Sequence, residues 1–131
     1  KPVPVEITYG IERLCMFVQG KNNVFDLDWN NEGVKYREVF FQAEKEFSAY
    51  NFEFANTDTL LKNFENTENE CKSLLEKKLS LPAYDQCLKA SHIFNLLDSR
   101  GVIGVAERTG YITRIRELAK GCGALWLSTQ N

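Results

Sequence analysis

Along most of this chain apolar residues recur at spacings of three and four, the pattern of helices with one buried face. The start is different. Residues 3–9, with β-favouring Val5, Ile7 and Tyr9, predict a strand, and Pro2 and Pro4 restrict its beginning to extended backbone or a sheet edge. Gly10 turns the chain into a helix over residues 11–19, with apolar residues at 11, 14, 15, 17 and 18 and a stop at Gly20. Residues 21–33, carrying four asparagines, predict a connecting loop anchored by Val24, Phe25, Leu27 and Trp29.

Beyond residue 35 everything predicted is helical. The segment from Tyr36 to Tyr50 places Val39, Phe40, Ala43, Phe47 and Tyr50 on one core-facing stripe, and the aromatics of "FSAYNFEF" are expected in a core. Asn56, Thr57 or Asp58 caps a long helix to about residue 78, with Leu60, Leu61, Phe64, Cys71, Leu74 and Leu75 as its stripe and its Asn, Glu and Lys residues solvated. "SLPAY" starts the next helix, with Ser80 as cap and Pro82 in the first turn. Its line runs Ala83, Cys87, Ala90, Phe94 and Leu97, and Gly101 ends it. The final helix carries Val105, Ile112, Ile115, Ala119, Cys122 and Trp126. Gly110, Gly121 and Gly123 within it predict close helix contacts.

Composition narrows the class. A chain of 131 residues is expected to hold one body, and 44% hydrophobic with 26% charged residues describes a soluble globular protein. No apolar run is long enough to span a bilayer, so no membrane partner is expected. The first residue is Lys, which raises the expectation that the chain continues upstream. Four cysteines without metal-clip spacing predict reduced core thiols in a cytosolic setting, with no metal site or disulfide framework. The single histidine, His92, has no evident acidic orienter and is taken as structural. A net charge of −2 excludes non-specific coating of nucleic acid.

Two places carry candidate chemistry. In "EITYGIERL" a strand feeds through Gly10 into a helix whose free N–H groups and positive dipole end suit an anion. Arg13 stands in that first turn, where a cation is electrostatically misplaced unless a phosphate compensates it, and its planar fork suits phosphate oxygens. Glu6 and Thr8, two apart on the strand, share a face and offer an acid and a hydroxyl to an ammonium group. Structural alternatives are that Arg13 pairs with a surface carboxylate, Glu6 sits on an exposed edge, and Glu12 complements the helix dipole. The second place is "SRGVIGVAERTGYITRIREL", where Arg100, Arg108, Arg114, Arg116 and Lys120 make a locally basic stretch. It is either a contact for RNA or a partner subunit, or an ordinary solvated face.

"PVEITYGIERLCMFVQG" resembles motif 3 of the class II aminoacyl-tRNA synthetases, and more closely the α subunit of the bacterial heterotetrameric glycyl-tRNA synthetase. "VFDLDW", "YNFEFAN", "LPAYDQCLKASHIFNLLDSRG" and "ERTGYITRIREL" are similar to consecutive blocks of that subunit's C-terminal half, so nearly the whole chain is covered. The resemblance implies that Arg13 contacts the ATP phosphates as the catalytic arginine. It further implies that Gly10 and Glu12 belong to the ATP site, and that Glu6 and Thr8 receive glycine. Arg100, Arg108, Arg114 and Arg116 become candidates for contact with the tRNA acceptor stem or a partner subunit. ATP and Mg²⁺ are the implied cofactors; tRNA(Gly), the β subunit and a second α subunit are the implied partners, in the cytoplasm. Motifs 1 and 2 are expected upstream, so these residues alone are expected to be inactive in adenylation.

The fold implied is mainly α: a bundle of about four or five helices, preceded by the last strand and helix of a truncated antiparallel α+β catalytic domain. Residues 1–20 would be that catalytic remnant and residues 21–131 the C-terminal helical domain. The competing expectation is a noncatalytic helical module that docks a partner subunit or a tRNA acceptor stem.

Overall fold

A computed structural model describes residues 3–130. It is mainly α, with five helices: α1 (Ile11–Gln19), α2 (Tyr36–Ala49), α3 (Thr57–Glu76), α4 (Ser80–Ser99) and α5 (Val105–Ser128). A 3₁₀ turn at Val24–Asp26 and a π turn at Tyr50–Phe54 complete the regular structure. Contacts divide the chain into two compact units, Lys1–Ser48 and Ala49–Asn131.

The second unit is built on α3, α4 and α5, joined by short turns. Asn56 caps α3, its Oδ1 accepting from Thr59 N–H at 2.9 Å. Both helix exits use one device, a left-handed residue whose following N–H reaches back five residues. After α4 that residue is Gly101 (φ 67°), and Val102 N–H reaches Leu97 O at 3.1 Å. After α3 it is Lys78 (φ 60°), and Leu79 N–H reaches Leu74 O at 2.9 Å. The turn thus takes a β-carbon where glycine fits better.

The predicted α4 line is buried at every position, Ala83, Cys87, Ala90, Phe94 and Leu97. Alanine at two of these points leaves room for neighbouring helices to approach. Leu60, Phe64 and Cys71 of α3 and Leu118 and Cys122 of α5 fill the opposite walls. Gly121 shows why a small residue is needed there, since an added Cβ would lie 2.9 Å from Leu75 Cδ1. At Gly110 and Gly123 the space is open, so the expected close contacts occur at one glycine of the three. Ser80 opens α4 without capping it, and Val105 at the start of α5 is 92% exposed instead of lying on the stripe.

The first unit holds together differently. The segment predicted as a strand, residues 3–9, is exposed and makes no ladder among the described residues. A strand needs a neighbour's backbone to pair with, and the described residues supply none. α1 matches its predicted limits and ends at Gly20 in the left-handed region, yet buries no residue: Leu14, Phe17 and Val18 are exposed. α2 likewise buries nothing, and Val39 and Phe47 of its expected stripe are exposed; so are Tyr50, the last of that stripe, and Phe52 and Phe54, which belong to the second unit. Apolar spacing forms the helix, but burial requires a covering surface.

Local polar bonds order this unit instead. Gln19 grips the Asp28 backbone twice, Nε2 donating to its carbonyl at 3.1 Å and Oε1 accepting from its N–H at 2.8 Å. Asn23 accepts from Phe25 N–H, and Asn30 from Glu32 and Val34 N–H, which accounts for two of the four loop asparagines. Glu38 then accepts from Lys35 N–H at 2.9 Å and closes the start of α2. Leu27, 3% exposed, is the sole buried residue of this unit among those described.

Candidate functional site

At the opening turn, Gly10 has φ 78° and ψ 131°, a conformation closed to side-chain-bearing residues, while a Cβ there would meet no atom within 4 Å. Within this chain, backbone conformation and not crowding requires the glycine. No side chain caps α1, leaving its first N–H groups available to an acceptor. Arg13 in this turn is exposed and forms no ion pair among the described residues. Its charge faces the positive end of the helix without an internal partner. The structure does bring Glu6 and Thr8 together: Thr8 Oγ1 donates to Glu6 Oε1 at 2.8 Å. Glu12 turns another way, its Oε1 standing 3.5 Å from the Tyr36 hydroxyl.

The basic stretch separates into different roles. Arg100 Nη1 donates to Ala55 O at 2.8 Å, tying the segment before α3 to the end of α4. Arg108 Nε forks onto Asp98 at 3.0 and 3.2 Å, bridging the α4–α5 connection. Arg114 reaches Glu68 with two N–H groups, Nε at 3.1 Å and Nη2 in closer contact, and lies over the rings of Phe64 (4.7 Å) and Tyr111 (5.0 Å). Arg116 is exposed and has no ion pair among the described residues. Three of these four arginines therefore have internal partners; Arg108 and Arg116 are both exposed, and of those two Arg116 has no ion pair among the described residues.

Glu68 corrects the expectation that the acids of α3 are solvated: it is 6% exposed. Arg114's hydrogen bonds hold its carboxyl below the usual range, outweighing burial, with Lys72 assisting at 3.0 Å. Arg114 is shifted upward by the same contact. The signal lay in the sequence, since Leu60, Phe64, Glu68, Cys71 and Leu75 continue the spacing of four and three. An acid on an apolar line needs a buried partner.

The thiols are free. Cys71 and Cys122 face each other across α3 and α5 with sulfurs 4.0 Å apart, and Cys87 points to Ile115 O at 3.8 Å. Burial, with Cys122 alongside, pushes Cys71 up to about 12, so this thiol is protonated and unreactive at neutral pH. His92 is exposed, on the lining of an open hollow that Asn66 and Asp85 also line, rather than packed in the core. No group of three His, Cys, Asp or Glu among the described residues is placed to hold a metal. No helix among the described residues is long and apolar enough to cross a membrane.

Fold and site together define a mainly α-helical protein whose three-helix core follows an uncapped, cation-bearing helix start. The family model described as "Glycyl-tRNA synthetase alpha subunit" matches residues 1–131. The chain belongs to the glycyl-tRNA synthetase alpha subunit family, and with it to the tRNA synthetases.

Proposed function

We propose that this chain is part of the α subunit of a glycine–tRNA ligase and supplies one wall of its adenylation pocket. The supporting observation is the Gly10–Arg13 turn, in which a positive-φ glycine opens an uncapped helix beside an exposed arginine without an ion pair among the described residues, within a chain that matches the family throughout. In the reaction of this class, glycine's carboxylate attacks the ATP α-phosphate to give glycyl-adenylate and pyrophosphate. The tRNA(Gly) 3′ end then takes the glycyl group. Arg13 would hold ATP phosphate oxygens and stabilise the charge that gathers there in the transition state. Gly10 would let the helix N-terminus approach the nucleotide. Glu6 would receive the glycine ammonium, and Thr8, already bonded to it, would limit the space to so small an amino acid. Glu12 enters this set by resemblance, although its carboxylate faces Tyr36.

Magnesium is expected with ATP, but the described residues bring together no group of three His, Cys, Asp or Glu that could hold it. Residues 1–20 would be the catalytic remnant and 21–131 the helical domain. The exposed apolar side chains of residues 3–18 fit a segment that packs against further parts of a catalytic sheet. These 131 residues contain neither motif 1 nor motif 2, so alone they are expected not to adenylate glycine. The β subunit, a second α subunit and tRNA(Gly) would be partners in the cytoplasm, with Arg116 the basic side chain best placed to touch RNA or protein.

Thermal shift of the intact subunit tests the central assignment. ATP with Mg²⁺ should raise its melting temperature, and Arg13→Ala should abolish the response. A response that survives Arg13→Ala overturns the role of Arg13. For the chain alone, measurable glycine-dependent ATP–pyrophosphate exchange would refute the expected inactivity. A purely noncatalytic docking module would show no nucleotide response even in the intact subunit.

A further inference from the structure

Within the first unit a cavity of about 410 Å³ opens between the start of α1, the loop and α2. Its floor is Leu27, and three rings form its walls: Trp29, Tyr36 and Phe40. Trp29 stands at 71° to Phe40 (5.3 Å between centroids) and at 67° to Tyr36 (6.2 Å). Tyr36 and Phe40 lie 4.6 Å apart at 35°. Trp29 thus stands as a wall at a steep angle to the paired Tyr36 and Phe40 rings, and the face of an aromatic ring carries negative potential. The Glu12 carboxylate lines the same space, 3.5 Å from the Tyr36 hydroxyl, and forms no ion pair among the described residues. Asp28 is also on the lining, but it is held by Lys35.

The volume lies in the range of small-molecule sites. A simple core cluster would bury its rings, whereas Trp29 is 53% exposed above a floor that is 3% exposed. Aromatic faces together with one carboxylate attract a weakly hydrated cation more than they attract a neutral group of the same shape. We propose that this cavity is a binding site for a small organic ammonium ion, with Trp29, Tyr36 and Phe40 as its cage and Glu12 as its counter-charge. The site does not rest on the nucleotide assignment of Gly10 and Arg13, and it gives Glu12 a different role from the one in the ATP site that the resemblance implies.

Choline and its uncharged isostere 3,3-dimethylbutan-1-ol test it on the 131-residue chain. Calorimetry gives the binding, and a Trp126→Phe background leaves Trp29 as the only fluorophore of its type, since the chain has two tryptophans. Choline should change Trp29 emission saturably, at an affinity about tenfold above that of the isostere. Glu12→Gln should weaken choline several-fold, and Trp29→Leu should remove its binding while the helical circular dichroism stays unchanged. Equal binding of the two probes would mean an apolar cavity only and overturn the proposal. So would absence of a choline signal by both methods, or choline affinity unchanged in Glu12→Gln.

Discussion

The two units use the same sequence signal with opposite results. In 49–131, apolar residues spaced by three and four meet across three helices, and Phe64, Leu97 and Cys71 are fully enclosed. In 1–48, α1 is clearly amphipathic and α2 carries its stripe, yet neither buries a residue and most of their apolar side chains lie in solvent. The difference lies in the partner surface. Each helix of the second unit has two neighbours, while α1 contacts chiefly a 3₁₀ turn. The first unit is correspondingly ordered by side-chain bonds from Gln19, Asn23, Asn30 and Glu38 to backbone groups.

Large-to-small substitutions should separate the units most sharply. Phe64→Ala removes a ring that packs on Tyr111 at 4.9 Å and supports Arg114, and should cost about 4 kcal/mol in urea denaturation. Leu27→Ala, the corresponding change in the first unit, should leave that transition in place and speed hydrogen exchange only around residues 11–36. A shared loss in both would break the comparison.

Next in size is the Glu68–Arg114 pair. Glu68→Gln should cost about 2 kcal/mol near neutral pH, because Arg114 loses its carboxylate while remaining part-exposed. The native carboxyl titrates below its unfolded counterpart. Its stabilisation is therefore complete above the ordinary carboxylate range and fades as pH falls through the lowered native value. Denaturation from pH 7 down to 3 should show a shallower acid decline in Glu68→Gln than in the unchanged chain; parallel declines would assign the acid sensitivity elsewhere.

Turn chemistry gives smaller and opposite effects. Gly10→Ala forces a positive φ on a β-carbon and should destabilise the start of α1 by about 1 kcal/mol, seen as faster amide exchange at residues 11–15 with the main unfolding transition unmoved. Lys78→Gly relieves the same strain after α3 and should raise the main transition by about 0.5 kcal/mol. A loss there would show that the lysine side chain contributes something the backbone does not reveal.

Much of the candidate site's geometry was legible because it is local. Gly10, the limits of α1 and the shared face of Glu6 and Thr8 follow from residue types and short spacings. The basic stretch was legible only as composition. That Arg100, Arg108 and Arg114 each reach an internal oxygen depends on residues 45, 10 and 46 positions away. The cavity over Leu27 was equally hidden, since Trp29 and Phe40 read as ordinary apolar anchors until the loop folds back on α2.

By itself the sequence determined where helices begin and end, that the line Ala83, Cys87, Ala90, Phe94 and Leu97 of α4 is inside, and that glycine must sit at residues 10, 20 and 101. Those properties come from backbone conformation and from periodicity within one element, which neighbours in the chain decide. Only the tertiary structure decided which amphipathic faces are covered, that Glu68 is inside, and that three of the four candidate arginines have internal partners. Burial and charge pairing depend on what another segment brings within a few ångströms, and spacing along one helix carries no record of that.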